Sequence, residues 1–396
     1  MSHKKYLIQG FQASAMATGL KKTGELDLAL IYSEKESSGA GVFTTNKVKA
    51  APVILSQQNI QRGKVRAIIA NSGNANACNG VKGLDHARRT ASQVAKKLDI
   101  DSNEVLVAST GVIGAPLDMD KISRAIPGLV KALSPEGLSR AAEAVMTTDS
   151  FPKISRFEGM AGGQSYCILG IAKGAGMIMP NMATMLCFVL SDIQIDASDL
   201  RKAVSSAVEM TFNRISVDGD TSTNDMVVMM ANGMAGNDPL SSDDYEGFKE
   251  GLRTVMNDLA TMIVRDGEGA TKVIFVKVKR AVTEMDALTA ARTIANSTLV
   301  KTAFYGQDPN WGRIMAALGR SGIDMREEDV SIWIDDIQIV EGGLGKGVDS
   351  EKEAAKKMRK KAFTLTVDLH RGEYENHIMT CDLTPDYISI NAVYRT

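Results

Sequence analysis

The stretch that decides the fold runs from Lys173 to Asp192 and reads KGAGMIMPNMATMLCFVLSD. Its second half, 185–190, is a continuous apolar run of strand length, which is typical of a strand buried on both faces of a sheet. The residues before it include two glycines, a proline and an asparagine, a composition that is typical of a tight irregular loop. The sequence therefore predicts a loop that enters a buried strand, with the hydroxyl of Thr184 at the junction.

Thr184 is a candidate nucleophile because it stands where the irregular loop meets the buried strand. A threonine hydroxyl needs a base beside it, and one known solution is a free α-amine on the same residue. Thr184 gains such an amine only if the bond between Ala183 and Thr184 is cut. The simpler interpretation is an ordinary strand threonine, and the rest of the chain has to decide between the two.

Composition places the chain among globular proteins and excludes several classes of function. Its 396 residues are too many for one ordinary core, so we expect two or more packed units. Hydrophobic residues make up 44% and charged residues 23%, and the net charge of -1 comes without the clustered basic face that nucleic-acid binding needs. No apolar stretch has the length of a membrane span and no secretory signal is evident, so we expect a cytoplasmic protein with no membrane partner.

The sequence offers few residues for a metal site or for catalysis by histidine. Its four cysteines, Cys78, Cys167, Cys187 and Cys381, are far apart and form no C-x-x-C pair. Its four histidines form no H-E-x-x-H pattern. We therefore expect no metal, and a site that uses hydroxyls, backbone amides and an amine.

Three polar loops follow or precede predicted strands. After the strand predicted at 105–108, Ser109–Gly111 can direct a hydroxyl and a backbone N–H to one spot, as an oxyanion hole requires, or form a plain strand-end turn. After the strand predicted at 65–70, residues 71–80 either line a polar pocket with their amides or form only an elaborate turn. Asp218–Asp225 resembles a calcium loop but lacks the glycine and the glutamate that such a loop needs.

Strands and helices come in mixed order, which predicts an α/β fold of the α+β or layered kind rather than a regular βαβ array. A long amphipathic helix is predicted at 245–264. The apolar runs at 299–305 and 387–393 predict strands. Residues 28–32 and 41–45 predict two early strands with a polar turn between them.

Taken together, these loops resemble those of one family, the ornithine acetyltransferases, also described as bifunctional glutamate N-acetyltransferases of arginine biosynthesis. The matching segments occur in the same order over nearly the whole chain. They are Gly41–Asn46, Gly73–Ala77, Ser109–Gly111, Met146–Asp149, Lys173–Ile178, Ala183–Leu186, Asp218–Asp225, Asp266–Lys272, Asp308–Ile314, Ile390–Asn391 and Tyr394–Thr396. Each segment alone is weakly diagnostic, whereas the combination is highly specific.

The resemblance implies that the chain cleaves itself between Ala183 and Thr184, in the motif A-T-M-L. The products would be an α chain of residues 1–183 and a β chain of residues 184–396. The implied fold is a layered α/β sandwich that resembles the N-terminal-nucleophile hydrolases. The implied assembly of the two kinds of chain is a heterotetramer, α2β2, or a larger oligomer.

The implied reaction is transfer of an acetyl group from N-acetylornithine to glutamate through an acetyl-Thr184 intermediate, by a ping-pong route without a cofactor. The resemblance leaves open whether acetyl-CoA also serves as a co-substrate. An alternative from another reaction class is a self-processing aminopeptidase of the same architecture. A third alternative is a binding or structural protein without enzymatic activity.

The resemblance also implies roles for particular residues. Thr184 matches the nucleophile, and Thr110 with Gly111 matches the oxyanion hole. Substrate contacts are implied at Thr147, Lys173, Thr184, Glu268, Asn391 and Thr396. Thr148, directly after Thr147, is the alternative for the first of these contacts.

Two of the implied contacts carry charge. Lys173 suits the α-carboxylate that both substrates carry. The alternative interpretation of Lys173 is an ordinary solvated lysine. Glu268 suits the distal ammonium of ornithine. The alternative interpretation of Glu268 is an acidic residue in a surface turn. The chain departs from the family pattern at Asn79, where a threonine is usual, and at Val393, where we expect an acid.

Overall fold

The computed structural model describes residues 6–179 and 185–393. Within these ranges the chain divides into two compact units. The first is formed by residues up to Asn213 together with Asp220–Ile263, and the second by Arg214–Gly219 together with the chain from Val264 onward. The expectation of more than one packed unit is confirmed, and each unit has a sheet of its own.

The described residues form fifteen strands, most of them short. They are β1 (Phe11–Met16), β2 (Leu28–Phe43), β3 (Lys64–Asn71), β4 (Val105–Ser109), β5 (Lys153–Ala161), β6 (Gln164–Lys173), β7 (Leu186–Ser191), β8 (Ile215–Ser216), β9 (Met226–Ala231), β10 (Val273–Ala281), β11 (Ser331–Ile334), β12 (Ile337–Glu341), β13 (Leu344–Gly345), β14 (Ala362–Asp368) and β15 (Tyr374–Cys381). Strands β8 and β10–β15 belong to the second unit, and the others to the first.

The described residues also form eleven α-helices. They are α1 (Ala51–Ile60), α2 (Gly80–Leu98), α3 (Met119–Lys131), α4 (Leu138–Ala144), α5 (Ala197–Met210), α6 (Ser242–Arg265), α7 (Glu284–Ala295), α8 (Thr298–Gly306), α9 (Trp311–Gly319), α10 (Val348–Met358) and α11 (Pro385–Val393). Across residues 6–179 and 185–393, every helix is too short or too polar to span a lipid bilayer.

Strand β7 lies inside the sheet of the first unit, whose order is β4-β3-β2-β9-β7-β6-β5 with β1 on β2. It pairs antiparallel with β6 and parallel with β9, and all of its residues are buried. On one face of the sheet, Phe188 lies in a large apolar core. Helix α6 packs on the sheet at the neighbouring strand β6, so closely that a Cβ added at Gly170 would lie 2.7 Å from the side chain of Leu259. The predicted strand that is buried on both faces is confirmed.

Helices cover both faces of this sheet, as residue alternation along β2 shows. Leu28 and Leu30 pack in a core with residues of α2 and α3, whereas Ala29 and Ile31 belong to the core that contains α4. Successive side chains of a strand point to opposite faces, so the two cores lie on opposite sides of the sheet. The predicted layered α/β class is therefore confirmed.

The second unit has a seven-stranded sheet in the order β13-β12-β11-β14-β10-β15-β8. Strand β10 lies between β14 and β15, and runs parallel to β14 and antiparallel to β15. Alternate residues such as Ile274, Val276 and Val278 enter a core that also contains Ala291 and Ile294 of α7. Helices thus pack on the face of this sheet that carries these residues.

Two predicted strands in the second unit are wrong, because each is a helix. Residues 299–305 lie in α8, which begins after Ser297, whose hydroxyl caps the helix by accepting from the amide of Val300. Residues 387–393 lie in α11, which begins at Pro385, a residue that suits the first position of a helix. In both cases the helix-start signal lies just outside the apolar run that suggested a strand.

The predicted early turn is also wrong, because β2 continues through it as one strand of 16 residues. Between the two apolar segments, the register of the pairing between β2 and β3 shifts from Tyr32 to Ser37. Such a shift bends a strand without ending it.

The predicted boundary between an α and a β chain falls at Ala183 and Thr184, which lie outside the described residues. On either side of it, β6 and β7 are hydrogen-bonded neighbours, with Lys173 opposite Leu186. The two segments therefore share one sheet, and the boundary remains a prediction.

Candidate active site

The turn after β4 holds the two residues that were predicted to form an oxyanion hole. The amide of Thr110 donates to the carbonyl of Asn71 at 2.9 Å, and Thr110 is buried. Gly111 has φ +126°, and a Cβ there would stand 2.5 Å from the carbonyl carbon of Gly73. Only glycine satisfies both the backbone angle and this close approach. The turn is therefore built against the loop that follows β3.

Asparagine side chains fix these loops to one another. Asn71 donates to the carbonyl of Asn74 at 2.9 Å and accepts from the hydroxyl of Ser109 at 2.6 Å. Asn224 donates to the carbonyls of Ala75 at 2.6 Å and Ser109 at 2.8 Å. Buried amides that are paired in this way hold backbone in a defined shape. The asparagines of the 71–80 loop thus act as a framework.

Lys173, the last residue of β6, brings a positive charge to this turn. Its side chain is buried, with 8% of the residue exposed, and Nζ donates to Oγ1 of Thr110 at 3.2 Å. Because the hydroxyl oxygen accepts this bond, the hydroxyl hydrogen of Thr110 is left to donate to another group. The alternative of a solvated lysine is wrong.

Asp149 is the anionic partner of this positive region. Its carboxylate accepts from Nζ of Lys153 at 2.6 Å, from the amide of Gly174 at 2.7 Å and from the amide of Thr147 at 2.9 Å. Burial favours the neutral acid, but the charges of Lys173 and Lys153 with these hydrogen bonds outweigh it and hold the pKa of Asp149 below its usual range. Asp149 is therefore ionised at neutral pH.

The charges of this cluster do not cancel. Lys153 and Lys173 together carry one more charge than the single carboxylate of Asp149. Asp225 also interacts with Lys173, and burial raises the pKa of Asp225 well above the usual range although Lys173 opposes the shift. This shift moves Asp225 toward its neutral form, and any loss of its charge increases the positive charge beside the turn, which suits a carboxylate or a developing oxyanion.

In the second unit the structure brings Glu268 and Asn391 together. Nδ2 of Asn391 donates to Oε2 of Glu268 at 2.7 Å. Glu268 is 8% exposed, so the alternative of a surface turn acid is wrong. Next to it Gly269 has φ +68°, and a Cβ there would lie 2.6 Å from the amide nitrogen of Tyr387. The close approach of α11 to this turn therefore requires the glycine.

The predicted site residues thus fall into three groups. Those in the first unit are Thr110, Gly111, Thr147 and Lys173, those in the second unit are Glu268 and Asn391, and those outside the described residues are Ala183, Thr184 and Thr396. Thr147 and Thr148 are both half-buried in the turn after α4, so burial does not separate them. Within the described ranges, no group of three or more His, Cys, Asp and Glu side chains is placed to hold a metal ion.

Three buried charged residues of the site were missed by the sequence analysis. Asp149 and Asp225 each end a segment that carries the family resemblance, so their positions could have been singled out as acids. Lys153 lies outside these segments, and its neighbours in the sequence do not distinguish it from a solvated lysine. Its side chain is fully buried on Asp149.

The two departures from the family pattern lie at different kinds of position. Asn79 precedes α2 and donates to the side chain of Asn76 at 3.2 Å and to the carbonyl of Ala115 at 3.0 Å. It therefore joins the asparagine framework beside the oxyanion turn. Val393, by contrast, is 86% exposed at the end of α11.

Comparison with known proteins gives consistent matches over the chain. The model of the ArgJ family matches residues 12–396. The arginine biosynthesis bifunctional protein ArgJ of Geobacter sulfurreducens is 51% identical over 98% of this chain and 100% of its own length. That of Symbiobacterium thermophilum is 48% identical over 98% of this chain and 97% of its own length. The crystal structure of ArgJ from Bacillus halodurans is 45% identical with a TM-score of 0.50, and covers 52% of this chain and 98% of the solved chain.

The layered α/β fold places a buried lysine beside a strand-end turn, an arrangement that suits an enzyme acting on anionic substrates or intermediates. The family match makes the assignment specific, because it extends over nearly the whole sequence. The chain belongs to the ArgJ family of arginine biosynthesis bifunctional proteins. The predicted resemblance to the ornithine acetyltransferases and the predicted enzyme of arginine biosynthesis are thereby confirmed, in preference to the aminopeptidase and the non-enzymatic alternatives.

Proposed function

We propose that this chain transfers the acetyl group of N-acetylornithine to glutamate through an acetyl ester on Thr184. The observation that carries the proposal is the hydrogen bond of 3.2 Å from buried Lys173 to the hydroxyl of Thr110. It leaves a hydroxyl donor beside a buried cation, which is what a tetrahedral oxyanion needs. The positive charge in excess over Asp149 also suits the carboxylates of both substrates.

The nucleophile arises by self-cleavage between Ala183 and Thr184, which gives chains of residues 1–183 and 184–396. The free α-amine of Thr184 then serves as the base, since its reference pKa of about 7.7–8.0 keeps a useful fraction neutral near pH 7–8. The solved Bacillus halodurans chain supports this division, because 98% of it corresponds to only 52% of this chain. Residues 184–396 are likewise roughly half of the 396.

In the first half-reaction the Thr184 hydroxyl attacks the acetyl carbonyl carbon and its proton passes to the α-amine. The carbonyl oxygen becomes an oxyanion, which Thr110 and Gly111 stabilise. When this intermediate collapses, the carbon–nitrogen bond of N-acetylornithine breaks. The departing ornithine takes the proton from the α-ammonium, and acetyl-Thr184 remains. Losing one oxyanion donor typically costs about 3–4 kcal/mol.

In the second half-reaction the amine of glutamate attacks the ester carbon of acetyl-Thr184. The same two residues stabilise the oxyanion. The bond from the acetyl carbon to the threonine oxygen breaks, the hydroxyl regains a proton from the attacking amine through the α-amine, and N-acetylglutamate leaves. Neither half-reaction needs a metal or a cofactor, and acetyl-CoA enters only as a second acetyl donor.

The substrate contacts follow from charge. Lys173 holds the α-carboxylate, while Glu268 holds the distal ammonium of ornithine, and the bond of 2.7 Å from Asn391 orients that carboxylate. Thr147, or its neighbour Thr148, and Thr396 are the remaining proposed substrate contacts. We further propose that the two chains associate as α2β2 in the cytoplasm. The shared sheet supports the association, because β6 precedes the cleavage point and β7 follows it.

Steady-state kinetics with purified protein test the reaction. Formation of N-acetylglutamate is measured while both N-acetylornithine and glutamate are varied. Parallel lines in double-reciprocal plots are expected, because the acetyl-enzyme forms before glutamate binds. Intersecting lines would contradict the acetyl-Thr184 route. Replacing N-acetylornithine by acetyl-CoA shows whether the second donor is used.

A further inference from the structure

The acetyl acceptor carries a charge that the contacts proposed above do not match. Glutamate has two carboxylates, whereas ornithine has one carboxylate and a distal ammonium. Lys173 is proposed for the α-carboxylate and Glu268 for the ammonium. The side-chain carboxylate of glutamate therefore needs a cation of its own, and a second positive group close to Lys173 would supply it.

Lys21 is such a group, because the loop that carries it packs against the oxyanion turn. This loop joins β1 to β2 and belongs to the first unit, as Lys173 does. A Cβ at Gly73 would stand 3.0 Å from the carbonyl oxygen of Leu20 and 3.2 Å from the amide nitrogen of Lys21. The carbonyl carbon of Gly73 would itself stand 2.5 Å from a Cβ at Gly111. The backbones of Lys21 and Gly111 therefore both pack closely on that of Gly73.

Asp27 holds the backbone of this loop with a fully buried carboxylate. The carboxylate accepts from the amide and the hydroxyl of Thr18, both at 2.7 Å, from the amide of Leu20 at 2.7 Å and from the amide of Lys21 at 3.1 Å. The carbonyl of Asp27 accepts from the amide of Ser72, in the loop after β3, at 2.9 Å. Asp27 thus fixes the backbone of Lys21 beside the turn rather than its ammonium group.

The ammonium group of Lys21 is largely buried but has weak partners. The side chain is 11% exposed, and Nζ donates to the carbonyl of Leu26 at 3.0 Å. The carboxylate of Glu25 stands 4.0 Å away and is 66% exposed, so solvent weakens this ion pair. An ammonium has three N–H donors, and among the described residues the carbonyl of Leu26 takes one of them. Lys21 thus has donors to offer an anionic ligand.

The charge of Lys21 also interacts with the charges of the site. Burial lowers the pKa of Lys21, and repulsion from Lys173 adds to this shift. Three carboxylates oppose it, namely those of Glu25, Asp27 and Asp149. They do not offset the burial, so a carboxylate from a ligand would stabilise the charged form of Lys21.

We propose that Lys21 binds the side-chain carboxylate of glutamate, while Lys173 binds its α-carboxylate. This inference rests on the acetyl transfer proposed above and gives it a specificity residue for the acceptor. The first half-reaction does not need the contact, because N-acetylornithine has no second carboxylate. Lys21 should therefore affect the second half-reaction alone.

The test compares the two half-reactions in purified full-length Lys21→Met. In a ping-pong reaction, kcat/KM for each substrate reports its own half-reaction. We expect kcat/KM for glutamate to fall about 10–100-fold, as for the loss of a charged hydrogen bond, while the value for N-acetylornithine stays near that of the wild type. Lys22→Met, at the exposed neighbouring residue, is the matched control and should change neither value. An unchanged value for glutamate in Lys21→Met, or an equal fall in both values, would overturn the proposal.

Glutamine as acceptor separates charge recognition from a structural role, because it has the shape of glutamate without the side-chain carboxylate. Acetyl-enzyme formed from N-acetylornithine is mixed with excess glutamate or excess glutamine, and loss of the acetyl group is followed by mass. Lys21→Met should slow the transfer to glutamate and leave the transfer to glutamine near the wild-type rate. Equal slowing with both acceptors would assign Lys21 a structural role and overturn the proposal. Wild-type protein that forms no N-acetylglutamate would instead refute the proposed function, so the two failures are distinguishable.

Discussion

The charged cluster of the first unit and the Glu268–Asn391 pair of the second are built in opposite ways. Asp149 is buried, accepts three hydrogen bonds and has lysine charges around it. Glu268 is also buried, but its partner Asn391 is exposed on α11, a helix with no buried residue. The first arrangement fixes charge in a low-dielectric place, whereas the second holds a carboxylate by a contact that is free to adjust.

This difference matters for the proposed reaction, in which the enzyme takes two substrates in turn. Both substrates carry the α-carboxylate, so the group that binds it can stay fixed. Their side chains differ, since one ends in an ammonium and the other in a carboxylate. A contact on an exposed helix can adapt to both at low cost, because few buried interactions change. Variants in the first region should therefore have large effects, and variants in the second small ones.

The largest effect is expected for Asp149→Asn. It leaves Lys153 and Lys173 buried without their carboxylate, and breaking a buried pair in this way typically costs about 3–5 kcal/mol of unfolding free energy. Asp199→Asn is the control, because its pair with Lys202 is largely exposed and worth at most about 1 kcal/mol. Urea unfolding measures both. Equal stabilities for the two variants would show that the cluster is not held as tightly as its geometry indicates.

The next effect is expected for Gly111→Ala. The new Cβ would meet the Gly73 backbone at 2.5 Å at φ +126°, so the turn must move and displace the oxyanion donors. We expect kcat to fall about 10²–10³-fold, the usual loss for one such donor. Gly114→Ala is the matched control, since Gly114 also has a positive φ, +79°, but has no atom within 4 Å of the new Cβ. If both variants lost the same activity, backbone strain alone would explain the loss.

A smaller effect is expected for Lys173→Met, which keeps most of the side-chain volume but removes the charge. The hydrogen bond to Thr110 and the attraction for the substrate carboxylate are lost together. A charged hydrogen bond contributes about 1.5–3 kcal/mol, so kcat/KM for N-acetylornithine should fall roughly 10–150-fold. Stability should fall less than in Asp149→Asn, because Lys153 still pairs with Asp149. An unchanged kcat/KM would remove Lys173 from the site.

The smallest effect is expected for Asn391→Ala. It removes one hydrogen bond to Glu268, worth about 0.5–1.5 kcal/mol, from a helix with no buried residue. The KM for N-acetylornithine should rise several-fold, while kcat and the melting temperature stay near the wild-type values. A large loss of stability would show that the second region is as rigid as the first, and the comparison would fail.

The sequence predicts the central strand of the first sheet correctly, but it predicts strands at two segments of the second unit that are helices. The apolar run of β7 predicts a strand buried on both faces, and the structure confirms it because a run without alternation needs cover on both sides. The runs in α8 and α11 look alike locally, but Ser297 and Pro385 start helices there. Short apolar runs do not separate strand from helix without such signals.

The site residues that stand at the ends of predicted strands could be predicted from the sequence. Those whose role depends on burial in the folded chain were harder to predict. Thr110 and Lys173 stand at the ends of predicted strands, and the structure joins them by a hydrogen bond. The burial of Lys153 depends on tertiary packing that no local pattern contains. The contact between Glu268 and Asn391 likewise joins segments that are distant in the sequence.

The most direct test of the central claim is the mass of the denatured protein after brief incubation with N-acetylornithine alone. We predict two chains that separate between Ala183 and Thr184, with one added acetyl group on the chain that begins at Thr184. Adding glutamate before the quench should remove that acetyl group. A single uncut chain that still forms N-acetylglutamate would contradict both the self-cleavage and the use of the Thr184 amine as the base.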